Sequence, residues 1–121
     1  MAHRPSGHPI AALLLLLPFT GCLCFGPPPG KGAKAELGYE RCAPIIEALA
    51  AYRQRESAYP ETLEALVTAK DLTAIPLGPQ DGILGYTRTT RSYELSFHYE
   101  GPGMNNCTYK PESKWSCSGY F

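Results

Sequence analysis

Ser96, His98 and the carboxylates Glu94 and Glu100 alternate along one stretch of this chain. By type they could supply a nucleophile, a general base and an orienting acid. Their spacing argues against that use. In an extended strand, residues two apart share a face but stand about 7 Å from each other, beyond the roughly 2.6–3.2 Å reach of a working nucleophile–base pair. No Gly-x-Ser-x-Gly elbow accompanies them. His98 therefore reads as a solvated strand residue, with a small hydrolase or hydrolase accessory using His98 as the alternative. Glu61 and Glu64 share a face, but the positive end of a helix accounts for both. Nothing near them marks the cleft that a glycosidase pair at about 5–9.5 Å requires. Gly26-Pro-Pro-Pro-Gly30 and Gly78-Pro-Gln-Asp-Gly82 are glycine-bearing turns without a phosphate-loop lysine or a dinucleotide fingerprint. No catalytic set and no cofactor is expected, and the chain reads as more a binding than an enzymatic protein.

The elements that would place such residues begin after an apolar run. Ile10 to Leu17 is far short of the roughly 20 residues that span a bilayer, and Arg4 precedes it. This is the pattern of a secretory signal peptide. Its end, Leu13-Leu-Leu-Leu-Leu-Pro-Phe-Thr-Gly-Cys22, resembles a bacterial lipoprotein signal, in which cleavage falls before a cysteine that then carries lipid. Thr20-Gly21-Cys22 matches that rule, and Phe19 stands where the family usually has leucine. The resemblance implies export, lipidation at Cys22 and a bilayer as partner, the protein facing the periplasm or the cell exterior from an envelope membrane. Several acyl chains on one residue hold far more firmly than a single chain. Cleavage there leaves 100 of the 121 residues and removes His3 and His8, so that His98 is the one histidine left.

The five cysteines are Cys22, Cys24, Cys42, Cys107 and Cys117. An odd number in an exported chain calls for an explanation, and lipidation of Cys22 supplies one. The other four could form two disulfides in an oxidising compartment, in any of three pairings. Cys107–Cys117 is favoured because a turn lies midway between them, which leaves Cys24–Cys42, with a free Cys24 as the alternative. Cys22-Leu-Cys24 has the wrong spacing for a zinc site, and no metal is expected.

Three segments follow: a signal at 1–21, a proline- and glycine-rich tether at 22–35, and one domain at 36–121. The tether composition favours extended, unpacked chain. In the domain, Cys42, Ile45, Leu49, Tyr52 and Glu56 recur at three and four, predicting an amphipathic helix over about 43–57. Pro44 would then sit in the first turn, where its missing N–H loses no bond; a start near Glu36 would place it inside the helix. A short helix should follow Pro60, packing through Leu63, Leu66 and Val67. The segment 70–85, with Pro76, Gly78, Pro79, Gly82 and Gly85, reads as an irregular crossing. From there the period changes to two. Strands are expected at 84–88 and 92–100, then a hairpin of 106–110 and 114–117 around Pro111-Glu-Ser-Lys114. Tyr93, Leu95, Phe97 and Tyr99 should face inward. The fold class is α+β, an amphipathic helix and a short second helix packed on a small antiparallel sheet.

This succession carries a second resemblance. Ala51-Tyr-Arg53 in the helix, Tyr59-Pro60 after it, Leu63-x-x-Leu66, Gly82-x-x-Gly-Tyr86 and the Tyr93 to Phe97 strand together resemble the periplasmic domain of the major pseudopilins of type II secretion. The likeness covers about 45–99 and implies a pseudopilin-like fold. The chain departs from the family in its signal, which lacks the glycine cleavage site and the long filament-building helix. Asp71 and Asp81 are too isolated to form the family's calcium loop.

Charge and aromatics bound the partners. Eleven Lys and Arg balance eleven Asp and Glu, so no overall basic character points to nucleic acid, and none is expected as a partner. Tyr109, Trp115, Tyr120 and Phe121 cluster near the end of the sequence. They form a candidate patch for an envelope protein or a glycan, with docking onto their own domain as the competing reading. The expected function is a non-enzymatic exported envelope lipoprotein acting as a structural or protein-interaction module. The alternatives are a divergent secretion or pilus-system subunit and, from a different class, the small hydrolase or hydrolase accessory using His98.

Overall fold

The computed structural model describes residues 26–120. The expected signal, Cys22, Cys24 and Phe121 lie outside the described residues. Among the described residues, no helix is long and apolar enough to cross a membrane.

A single long helix, α1 (Ala33–Glu56), lies over a four-stranded antiparallel meander. Its buried face is Ala35, Gly38, Cys42, Ile45, Ala48 and Leu49, a stripe at steps of three and four that continues the expected one upstream. The helix starts ten residues before the expected position, with Pro44 inside it. Two causes combine. Residues 33–42 include the good helix formers Ala, Lys, Glu and Leu, and the small Ala35 and Gly38 let this half lie close on the sheet. Pro44 itself is exposed, so its ring projects to water while packing elsewhere holds the helix. At the other end Ser57 takes the left-handed conformation, and its N–H caps the Arg53 carbonyl at 2.8 Å.

The expected tether over 22–35 is also revised, since Ala33 to Ala35 are helical and Gly30 is buried. The preceding turn is a docked strap. The Gly30 N–H donates to Tyr99 Oη at 2.9 Å, and the Tyr39 hydroxyl donates back to the Gly30 carbonyl at 2.8 Å. Gly30 has φ 85°, and a Cβ there would run into Cys117, so only glycine lets the strap lie this close.

The sheet is β1 (Gly85–Arg88), β2 (Tyr93–Glu100), β3 (Met104–Lys110) and β4 (Lys114–Tyr120), in that spatial order. The alternation expected in β2 holds throughout: Tyr93, Leu95, Phe97 and Tyr99 are buried, while His98 and Glu100 are exposed. The hairpin closes around 111–113, and β3 and β4 run longer than expected. Lys114, where β4 begins, has φ 65° and so takes the left-handed conformation. The expected α+β class is what the chain forms.

The core is the sandwich between α1 and the inner sheet face, built on Ile45, Leu49, Leu66, Leu95 and Phe97, all fully buried. The second helix, α2 (Glu64–Thr68), is shorter than expected and contributes Leu66, with Leu63 buried just before it. A crossing follows, tied to α1 by the Arg55–Asp71 fork, with N–O distances of 3.0 and 2.6 Å. A 3-10 turn (Pro79–Asp81) then returns the chain to the end of β2, where the Gln80 side chain pairs with the Glu100 backbone in both directions.

Candidate functional site

The cysteines come first, because they determine what is rigid. Cys107 and Cys117 are directly opposed on β3 and β4, with Cα atoms 4.1 Å apart, and they form a disulfide. That closeness is typical of a non-hydrogen-bonded antiparallel pair. Cys24, the partner expected for Cys42, lies outside the described residues; among the described residues Cys42 is a free thiol with no exposed surface. It lies on the α1 stripe between Gly38 and Ile45, facing the sheet. Burial pushes its pKa up to about 12, and a thiol that stays protonated is a poor nucleophile. In native protein at pH 8, iodoacetamide should leave Cys42 unmodified and alkylate it once the protein is unfolded in urea, as read by intact mass.

The aromatic cluster of the sequence does not form one patch. Tyr109 and Trp115 face inward, with ring centroids 5.3 Å apart, and Trp115 also meets Phe97 at 5.3 Å and Tyr39 at 4.9 Å. Tyr120 lies on the outer face of the sheet and is 70% exposed. Tyr109 and Trp115 therefore dock onto their own domain, and the single-patch expectation fails for them. Phe121 is outside the described residues.

The outer face has no layer over it among the described residues. Across β2, β3 and β4 it presents the rows Ser96–Thr108–Ser116, His98–Asn106–Ser118 and Glu100–Met104–Tyr120. Near the last row a groove of about 610 Å³ opens between the sheet and the 3-10 turn, lined by Gln80, His98, Met104, Asn106, Ser118 and Tyr120. The Asn106 amide donates to Thr108 Oγ1 at 3.2 Å, while its Oδ1 is buried and has no partner among the described residues. His98 and Ser96 are placed as expected, two apart on this face. Among the described residues they share no hydrogen bond. Glu94 instead pairs with Lys110 at 3.2 Å.

Glu61 and Glu64 do not act together either. Glu61 pairs with Arg88 at 2.9 Å, whereas Glu64 opens α2 and accepts the Thr68 hydroxyl through its backbone carbonyl. Among the described residues, no group of three or more His, Cys, Asp or Glu is placed to hold a metal ion.

One feature escaped the sequence reading. At the far end of α1, a groove of about 690 Å³ is lined by Arg53, Ser57, Tyr59, Arg88, Thr89, Thr90 and Arg91, with Ala58. The Arg53 guanidinium lies over the Tyr59 ring at 5.1 Å, and Arg88 donates to the Tyr59 carbonyl at 3.2 Å. Tyr59 is positioned by its ring contact with Tyr93 at 4.8 Å, beside which the Tyr86 hydroxyl ties to the Pro60 carbonyl at 2.6 Å. Three arginines from a helix end, a strand end and a turn carry no common spacing, so only the tertiary fold reveals the groove.

These features define a small disulfide-stapled α+β domain with one uncovered sheet face and a basic groove at one end. No family model matches the chain, and neither a curated protein nor a solved structure matches it.

Proposed function

We propose that the chain is an exported, lipid-anchored envelope protein whose domain works without catalysis, as a structural or protein-interaction module. The observation that carries this reading is the asymmetry of the sheet. Its inner face is filled by α1 and the strap and is stapled by Cys107–Cys117, while its outer face is polar and has no layer over it among the described residues. A disulfide is stable in oxidising compartments, which supports export. Lipidation of Cys22 provides the hold on the bilayer. The partner is an envelope protein or a glycan.

Cys22→Ser is expected to move the protein from the membrane fraction to the soluble fraction and to abolish labelling by a palmitate analogue. A wild-type protein that is soluble and unlabelled would sink the anchor. For the partner, a photo-crosslinker at Ser118 on the outer face should capture a discrete envelope component in intact cells, and one at Glu47 on the back of α1 should not. Equal capture at both positions would remove the outer face as the interaction surface.

A second reading is favoured by one observation: a long helix laid on a four-stranded antiparallel meander. This arrangement supports the pseudopilin-like fold and, with it, a divergent subunit of a secretion or pilus system. A hydrolase centred on His98 has less support, since Ser96 stands beside it without a bond and Glu94 is engaged by Lys110.

A further inference from the structure

We propose that the groove between the end of α1 and the β1–β2 turn is a binding site for a multiply charged oxyanion, such as the phosphate or carboxylate groups of an envelope polymer. Arg53, Arg88 and Arg91 come from three separate elements to line one concavity. Like charges gathered in this way raise one another's energy, and an anion seated among them relieves the cost. The protein itself compensates only in part. Arg88 pairs with Glu61, but among the described residues neither Arg53 nor Arg91 has an ion pair. The Glu61 side chain is 79% exposed, so a ligand can displace it at little cost.

The groove is also built to orient its cations. Arg53 rests on Tyr59 and Arg88 is fixed to the Tyr59 carbonyl, so two guanidiniums are held in place before a ligand arrives. A planar guanidinium presents paired N–H donors that match carboxylate and phosphate oxygens. Ser57, Thr89 and Thr90 add hydroxyl donors, although the Thr89 hydroxyl already accepts the Ser92 N–H at 3.1 Å. The nearby C-terminal carbonyls of α1 oppose an anion, and Ser57 caps one of them.

The position of the groove separates two sources of such an anion, an argument that rests on the anchored reading above. Gly26 lies against Pro102, in the turn between β2 and β3, and is four residues from Cys22. Four extended residues reach about 14 Å. The arginine groove is at the opposite end of α1, a helix about 36 Å long by its rise per residue. An anchor on Cys22 therefore holds the strap end at the bilayer and turns the groove away from it, toward a ligand other than the headgroups of that membrane.

Calorimetric titration of the full chain with inorganic pyrophosphate tests the site directly. It works on lipidated and unlipidated protein alike, so its failure is distinct from failure of the anchor. At low ionic strength, saturable binding with Kd of about 1 mM or tighter is expected, weakening as salt shortens the Debye length. The Arg53→Gln/Arg91→Gln double variant should bind at least about tenfold more weakly, with an unchanged melting curve because both residues are exposed, while Arg53→Lys/Arg91→Lys should recover part of the loss. No saturable binding, or equal binding by the glutamine variant, would overturn the site. Vesicles containing phosphatidylglycerol form the second arm. Binding of Cys22→Ser protein to them that depends on Arg53 and Arg91 would overturn the outward assignment and make the headgroup the ligand, whereas pyrophosphate binding without vesicle binding supports it.

Discussion

Replacing Cys107 and Cys117 together by alanine is expected to lower the stability of the domain by about 2–3 kcal/mol. The bond joins residues ten apart in sequence, and closing a loop of that size removes entropy chiefly from the unfolded chain. The native side adds to the effect. Cys117 is where the strap meets the sheet: the Tyr39 hydroxyl that holds Gly30 lies 3.2 Å from Cys117 Sγ, and a Cβ at Gly30 would meet the same sulfur. Alanine is the right replacement because Cys107 is fully buried, where serine would add an unpaired hydroxyl. Urea denaturation followed by Trp115 fluorescence should show a lower midpoint for the double variant. Reductant should bring the wild type close to that midpoint and leave the variant where it is. A wild type that does not respond to reductant at all would show that the crosslink contributes nothing.

Much of this architecture was legible from residue periodicity, and the misses have separate physical causes. The alternation from Tyr93 to Glu100 places its residues correctly because one buried face fixes parity along a strand. At the start of α1 the local preference of Pro44 for a first helical turn gives way to packing. Once Ala35 and Gly38 are covered by the sheet, one absent hydrogen bond on the exposed side of the helix is tolerated. The burial of Cys42 was legible as well: it shares the stripe of Ile45 and Leu49, and a residue on that stripe turns toward the core. The aromatic patch failed on parity. Trp115 and Tyr120 are an odd number of positions apart in one strand, so they take opposite faces, a parity that applies only because β4 runs on to Tyr120. The arginine groove had no local signature, since Arg53 and Arg91 meet only after the helix has been laid along the sheet.

Phe97→Ala is expected to cost about 3–5 kcal/mol, the usual range for emptying a large core site. Phe97 has no exposed surface. Its ring meets Tyr39 at 5.5 Å, Trp115 at 5.3 Å and Tyr99 at 6.2 Å between centroids. Its edge also fills the space over Gly38, where a Cβ would overlap the ring. That contact explains a glycine inside a helix, a position where alanine would ordinarily gain about 1 kcal/mol. Gly38→Ala in the wild-type background should therefore be destabilising by about 1–3 kcal/mol, since overpacking α1 against the sheet outweighs the better helix propensity. With Phe97 already truncated, the same Gly38→Ala change should become neutral or stabilising, because the added methyl enters the vacated space. A double-mutant cycle from urea unfolding measures this change of sign, and residues in direct contact are where such cycles depart from additivity. Additive effects would mean that α1 and β2 can separate freely at this point, and that Phe97 and Gly38 do not set the distance between helix and sheet.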